Sequence, residues 1–103
     1  MRNALLFVAM MLGASLCLAA DAYPSQAVRV IVPFGTGGGT DIMARVMAAQ
    51  LSEQMKSQFV VENRPGAGGR IGAEIVAKAA PTGYTLYVAE LGFATNPALY
   101  KSV

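Results

Sequence analysis

The run Phe34-Gly35-Thr36-Gly37-Gly38-Gly39-Thr40-Asp41 is the most chemically suggestive stretch of the chain. Four glycines let backbone N–H groups approach a ligand with no side chain in the way. A helical pattern follows, and a helix N-terminus presents unpaired N–H groups with a partial positive charge. Gly37, Gly38, Gly39 and Thr40 would then form an anion site suited to a carboxylate or a phosphate, with the Thr40 hydroxyl as a further donor. Asp41 would orient a water or an amine, or cap the helix. Phe34 would cover the apolar part of a ligand, or staple the helix entry. A plainer reading uses the same residues, with the glycines making only a tight turn and Asp41 only capping.

Two later stretches bear on the same question. Asn63-Arg64-Pro65-Gly66-Ala67-Gly68-Gly69-Arg70-Ile71-Gly72 pairs two arginines with glycines, which can clamp an anion. Charges beside loops usually face water, so solvated arginines and a helix packed closely over glycines is the favoured reading here. In Glu90-Leu91-Gly92-Phe93-Ala94-Thr95-Asn96, Thr95 and Asn96 would hydrogen-bond a ligand. Asn96 reads more readily as the N-cap of a last helix, with Pro97 at its first position.

Several chemistries are excluded. The chain has no histidine and one cysteine, so it carries no Ser-His-Asp or Cys-His catalysis, no disulfide framework and none of the common zinc sites. A net charge of +2 with scattered signs is no footprint for nucleic acid. No lysine follows the glycines, so there is no Walker A loop. A dinucleotide fingerprint is partly matched. Gly35-x-Gly37 begins one, and Glu62 stands where a ribose-binding carboxylate belongs, but Thr40 occupies the third glycine position. These residues leave an anion-binding or merely structural loop, with no catalytic residues, no metal and no cofactor expected. The alternatives are a Rossmann-like dinucleotide-binding enzyme domain and a truncated remnant without function.

The elements that must position these loops can be read from periodicity. Residues 27–32 are β-branched and almost continuously apolar, as a buried parallel strand requires. A helix is expected from Thr40 or Asp41 to about Lys56, burying a stripe of Met43, Met47, Leu51 and Met55 widened by Ile42 and Val46. Arg45, Gln50, Glu53 and Lys56 would face water. A strand over 59–62, a helix over 71–80 and a strand over 84–90 follow, with Tyr84, Tyr87 and the methionines in packing roles. This β-α-β-α-β alternation predicts a three-layer open parallel α/β sheet in the order 2-1-3, with right-handed crossovers and helices on both faces. Both glycine loops then lie at the C-terminal ends of strands, the edge where such sheets take ligands.

Residues 1–22 read as a cleaved secretory signal peptide. Arg2 supplies the charge, 4–18 are uncharged, and Ala20-Asp21-Ala22 is a small-x-small cleavage signal. The uncharged stretch falls short of the ~20 residues that span a bilayer. Leu16 before Cys17 argues against a lipid anchor, and Cys17 would leave with the signal. The product is expected to be exported to an oxidising compartment and not to span the membrane. The charged fraction of 14% is below the ~25% of ordinary domains, which suits a piece that packs against further surface.

Taken together, these blocks resemble the Bug-type extracytoplasmic solute receptors, the binding proteins of tripartite tricarboxylate transporters. The residues that carry the likeness are Tyr23-Pro24, Val30-Ile31-Val32-Pro33-Phe34, and Gly37-Gly38 with Asp41 and Arg45. They continue in Val60-Val61-Glu62-Asn63-Arg64-Pro65-Gly66-Ala67-Gly68-Gly69 with Ile71-Gly72, Pro81-x-Gly83-Tyr84-Thr85-Leu86, and Asn96-Pro97-Ala98-Leu99-Tyr100. The resemblance implies a type II periplasmic-binding fold whose two α/β lobes close on a small organic carboxylate and deliver it to membrane permease subunits. Residues 23–103 would be the N-terminal part of lobe one, the chain as a whole being truncated. Phe34, Gly37, Gly38 and Asp41 carry over as the first ligand turn, with Gly39 and Thr40 between them, and Thr95 and Asn96 as the loop after strand three. Glu90 departs from the pattern, which has a small or neutral polar residue there. A carboxylate at that place would repel an anionic ligand unless it points away or is protonated, or would select one carrying an amine or amide.

Overall fold

The computed structural model describes residues 22–99. Residues 1–21, which carry most of the signal-peptide reading and Cys17, lie outside the described residues, as do 100–103 with Tyr100. Three strands, β1 (Val28–Val32), β2 (Phe59–Asn63) and β3 (Thr85–Tyr87), form one parallel sheet in the order β2-β1-β3. This is the expected order. Val30 pairs with Val61 on one side and Leu86 on the other. The β-branched β1 takes the central place, and Val28, Ile31 and Val32 are fully buried there. β3 is shorter than 84–90. Val88 N–H still donates to Ile31 O at 3.0 Å, and the chain then turns away from the sheet.

Helix α1 (Gly39–Met55) packs on β1 and β2, and α2 (Arg70–Lys78), entered through a 3-10 turn at Ala67–Gly69, packs on β1 and β3. Right-handed crossovers in this strand order put the two helices on opposite faces. Under α1 lies the core of Val28, Val30, Ala48 and Phe59, with Leu51, Val61, Tyr84, Leu86 and Val88 against it. On the other face, Ile31 is flanked by its register partners Glu62 and Tyr87. α1 stops where Lys56 turns left-handed, at φ 50°.

Of the expected core stripe of α1, Leu51 does pack against the core, but the rest is not the face that is buried. Met43 and Met47 are 59% and 54% exposed, Ile42 and Val46 are equally open, and Asp41, Ala44 and Ala48 face inward instead. Two constraints turn the helix this way. Small alanines let it approach the sheet closely, and its inner face is tied by polar contacts at both ends. Ser52 Oγ donates to Ala48 O at 2.7 Å and accepts Phe59 N–H at 3.0 Å, which fastens the helix to the start of β2. Asp41 fastens the other end.

The last helix also differs from expectation. α3 runs over Leu91–Leu99 with Pro97 inside it, so Asn96 is not its N-cap. Glu90 takes that part, accepting Gly92 N–H through Oε2 at 2.6 Å, while Phe93 N–H donates to Glu90 O at 3.0 Å. A cap six residues earlier, at Glu90 in place of Asn96, lets the helix start before the Asn-Pro pair. No helix among the described residues is long and apolar enough to cross a membrane.

Candidate functional site

The first glycine loop follows β1 at the C-terminal edge of the sheet. Its geometry is set by Asp41, which is 2% exposed. One carboxylate oxygen, Oδ2, accepts Gly37 N–H at 2.9 Å, and the other, Oδ1, accepts Asn63 Nδ2–H at 2.9 Å. Arg45 Nε straddles both oxygens at 3.1 and 3.0 Å. Asn63 in turn donates to Phe34 O at 3.0 Å, and its own oxygen accepts from Arg45 Nη2 at 3.0 Å and Thr36 Oγ1 at 3.4 Å. The loop is therefore closed by one residue of α1, one turn of helix beyond it and the last residue of the neighbouring strand. Hydrogen bonds from Arg45, Gly37 and Asn63, in that order, hold the Asp41 carboxyl down to about 2.

Neither Asp41 nor Thr40 caps α1. Gly38 is the N-cap and no side chain hydrogen-bonds the helix end. Ile42 N–H already reaches Gly38 O at 3.0 Å, so the amides of Gly39, Thr40 and Asp41 precede the first intrahelical bond. A Cβ added to Gly35, Gly37 or Gly39 would meet nothing within 4 Å, so the outer side of the loop is open. Gly37 has φ 94°, a conformation that suits glycine, and there its N–H is turned onto Asp41.

Asn96 and Thr95 are placed differently from the first loop. Asn96, 7% exposed inside α3, donates through Nδ2 to Gly68 O at 3.0 Å and so pins the second glycine loop. Thr95 Oγ1 donates back to Leu91 O at 3.2 Å, a bond within its own helix. The second loop reaches the first through Gly72. A Cβ there would stand 3.2 Å from Pro33 Cα and 3.3 Å from Arg64 O. Arg64 is half-exposed and pairs with Glu62 at 3.3 Å.

Glu62, the carboxylate that the dinucleotide reading needs, is already engaged. Arg29 holds both of its oxygens at 2.8 Å. Arg29 first, and Arg64 after it, lower its carboxyl to about 2 against the cost of burial. Among the described residues no cluster of three or more His, Cys, Asp or Glu is arranged to hold a metal ion.

Arg45 and Asn63 are the site residues that the sequence reading did not single out as loop holders. Arg45 stands four residues beyond Asp41, a spacing that pairs charges on a helix and was a usable signal. Asn63 faces Val32 in the sheet register, a relation that no local spacing announces. An apolar groove lies elsewhere, between Ala67, Ile71, Ala73 and Phe93 on the outer side of α2.

The comparisons agree on one family. The model of the tripartite tricarboxylate transporter family receptor matches residues 43–103. Protein BugT of Bordetella pertussis is 51% identical over 69 residues, 67% of this chain and 21% of BugT. An R. palustris protein solved with adipate is 45% identical with a TM-score of 0.63, over 64% of this chain and 22% of that one. MatC from Rhodopseudomonas palustris, solved with bound malate, is 43% identical with a TM-score of 0.61, over 63% of this chain and 22% of MatC. The chain spans less than a third of the length of the curated relatives it matches.

Proposed function

The chain belongs to the tripartite tricarboxylate transporter receptor family, and from that premise we propose that it binds a small organic carboxylate through the first turn of α1. It acts as a solute-binding element and not as an enzyme. The observation that carries this reading is the pairing of an uncapped helix end with a loop whose internal bonds are all made elsewhere. Asp41 turns Gly37 N–H inward and leaves Gly39 and Thr40 N–H, and the Thr40 hydroxyl, to meet an anion. Gly38 keeps the approach clear, and Phe34 stands beside the loop to cover the carbon chain of the ligand. Asp41 serves as a positioning residue, because its carboxylate is spent on the loop. Asn96 and Thr95 shape the neighbouring corner at the same edge of the sheet.

The solved neighbours that hold adipate and malate support a carboxylate over a phosphate. Export by the signal peptide at 1–22 would place this element in the periplasm. There it forms part of the first of two lobes, and closure of the lobes excludes water and strengthens the amide–carboxylate contacts. Delivery to the permease subunits of a tripartite transporter completes the role.

Gly39→Ala tests this directly. A Cβ at Gly39 meets no atom of the protein within 4 Å, and alanine favours a helix over glycine. The melting temperature should hold or rise. Affinity for adipate or malate should fall on the order of tenfold by calorimetry, because one methyl would crowd a ligand held against the amide. Unchanged affinity would remove the first turn of α1 from the binding site.

A further inference from the structure

Glu90 stands between β3 and α3 and uses one carboxylate oxygen as the cap of α3, with Gly92 N–H 2.6 Å from Oε2. The other oxygen, Oε1, is buried and has no hydrogen-bond partner. Among the described residues it is the one buried side-chain nitrogen or oxygen left so. It lies 3.5 Å from the point where a Cβ on Gly69 would stand, a point 3.4 Å from Pro33 Cβ and 3.6 Å from the Tyr87 hydroxyl. The ends of β1 and β3 and the second glycine loop thus converge on this oxygen. β1 and β3 are hydrogen-bonded neighbours, so the first glycine loop departs from the same corner. The charge acts locally, since burial first and Glu90 second raise the Tyr87 phenol.

A helix cap needs one acceptor oxygen, which serine, threonine, asparagine or aspartate supplies. Glutamate brings a second oxygen that is costly to desolvate until a donor meets it. The residue as a whole is only half-buried. Gly69 and Gly92, which pack against the unpaired oxygen, put no side chain in front of it. Building on the carboxylate reading above, we propose that Glu90 selects ligands that carry an ammonium or amide N–H beside their carboxylate. The α1 amides take the carboxylate, and Glu90 takes the N–H after a small rotation of its side chain. A ligand with carboxylates alone offers this corner only like charge or no donor.

Two matched pairs of probes test the selection by calorimetry on the chain. These are malate against aspartate, which exchanges a hydroxyl for an ammonium, and adipate against 2-aminoadipate, which adds one. The aminated member should bind roughly tenfold tighter or better to the wild type, and within about twofold of its partner to Glu90→Gln, which keeps an acceptor for Gly92 N–H. Without ligand, Glu90→Gln should melt at a higher temperature, because an uncompensated charge has been removed. Gly92→Ala would bring a Cβ within 2.5 Å of Oε1, and should lower the preference by displacing the carboxylate at unchanged charge. Equal binding within each pair by the wild type, a preference retained in Glu90→Gln, or a lower melting temperature for that variant overturns the selection by Glu90 and leaves the carboxylate reading standing. Binding of none of the four acids overturns the carboxylate reading, and this inference with it.

Discussion

Gly72→Val should lower the stability of the chain by about 1–3 kcal/mol or more, with loss of the folded state as the upper outcome. Gly72 is buried in the first turn of α2. The helix there presses on both neighbouring loops at once, and a Cβ would stand 3.2 Å from Pro33 Cα and Cβ and 3.3 Å from Arg64 O. Two of these three atoms are backbone, and Pro33 is itself fully buried, so none can swing aside as the tip of a long side chain would. Valine adds two methyls beyond that Cβ. Gly72→Ala is the informative control. The better helix propensity of alanine contributes roughly 0.8–1 kcal/mol, which offsets much of a few tenths of an ångström of crowding. The alanine variant should therefore melt near the wild type and the valine variant far below it. Equal urea midpoints for valine and wild type would mean that the helix does not sit this close to Pro33.

The second large effect belongs to Asp41, through two separate readouts. Asp41→Asn keeps the shape and removes the charge that holds Arg45, and one of its oxygens becomes an amide facing donors. Gly37 or Asn63 then loses its acceptor, and the first glycine loop loosens. Affinity for a carboxylate ligand should drop roughly ten- to a hundredfold, the size expected from losing one or two hydrogen bonds to a charged group. The same substitution alters the acid limb of stability. The Asp41 carboxyl titrates at about 2 in the folded chain against 3.8 ordinarily, and Glu62 at about 2 against 4.5. Both are depressed, so their contribution is complete above their ordinary values and is lost as the pH falls toward 2. Wild type should lose stability progressively from about pH 4.5 to 2. In Asp41→Asn the loss should be smaller and begin with Glu62. Denaturant melts at pH 6, 4 and 2.5 separate the two curves, and parallel curves would show that the Asp41 network is not formed in solution.

These two sites also show where reading along the chain succeeds. The alternation of β-branched runs with helical stretches was enough for the strand order, because right-handed crossovers leave few ways to lay three parallel strands. The glycines of both loops were visible as places of close approach. Gly72, against Pro33, is where that approach occurs, whereas Gly37 is used for its φ of 94° in open space. The resemblance to tricarboxylate-transporter receptors was carried by ordered blocks, and the comparisons agree with it.

What the amino-acid order determined by itself was therefore local or repetitive, namely strands, helices, their sequence and the loops between them. What only the tertiary structure decided was how faces are oriented and which partners are shared. The methionine stripe of α1 had the right period and the wrong side. Which side turns inward depends on how near the helix must come to the sheet and on polar ties at Asp41 and Ser52. Asn63 joined the first loop because parallel pairing sets it opposite Val32, and Asn96 left the helix start because Glu90 had already capped it. Periodicity is a property of neighbours along the chain. A hydrogen bond from one strand end to the next loop depends on distances that exist only once the sheet has formed.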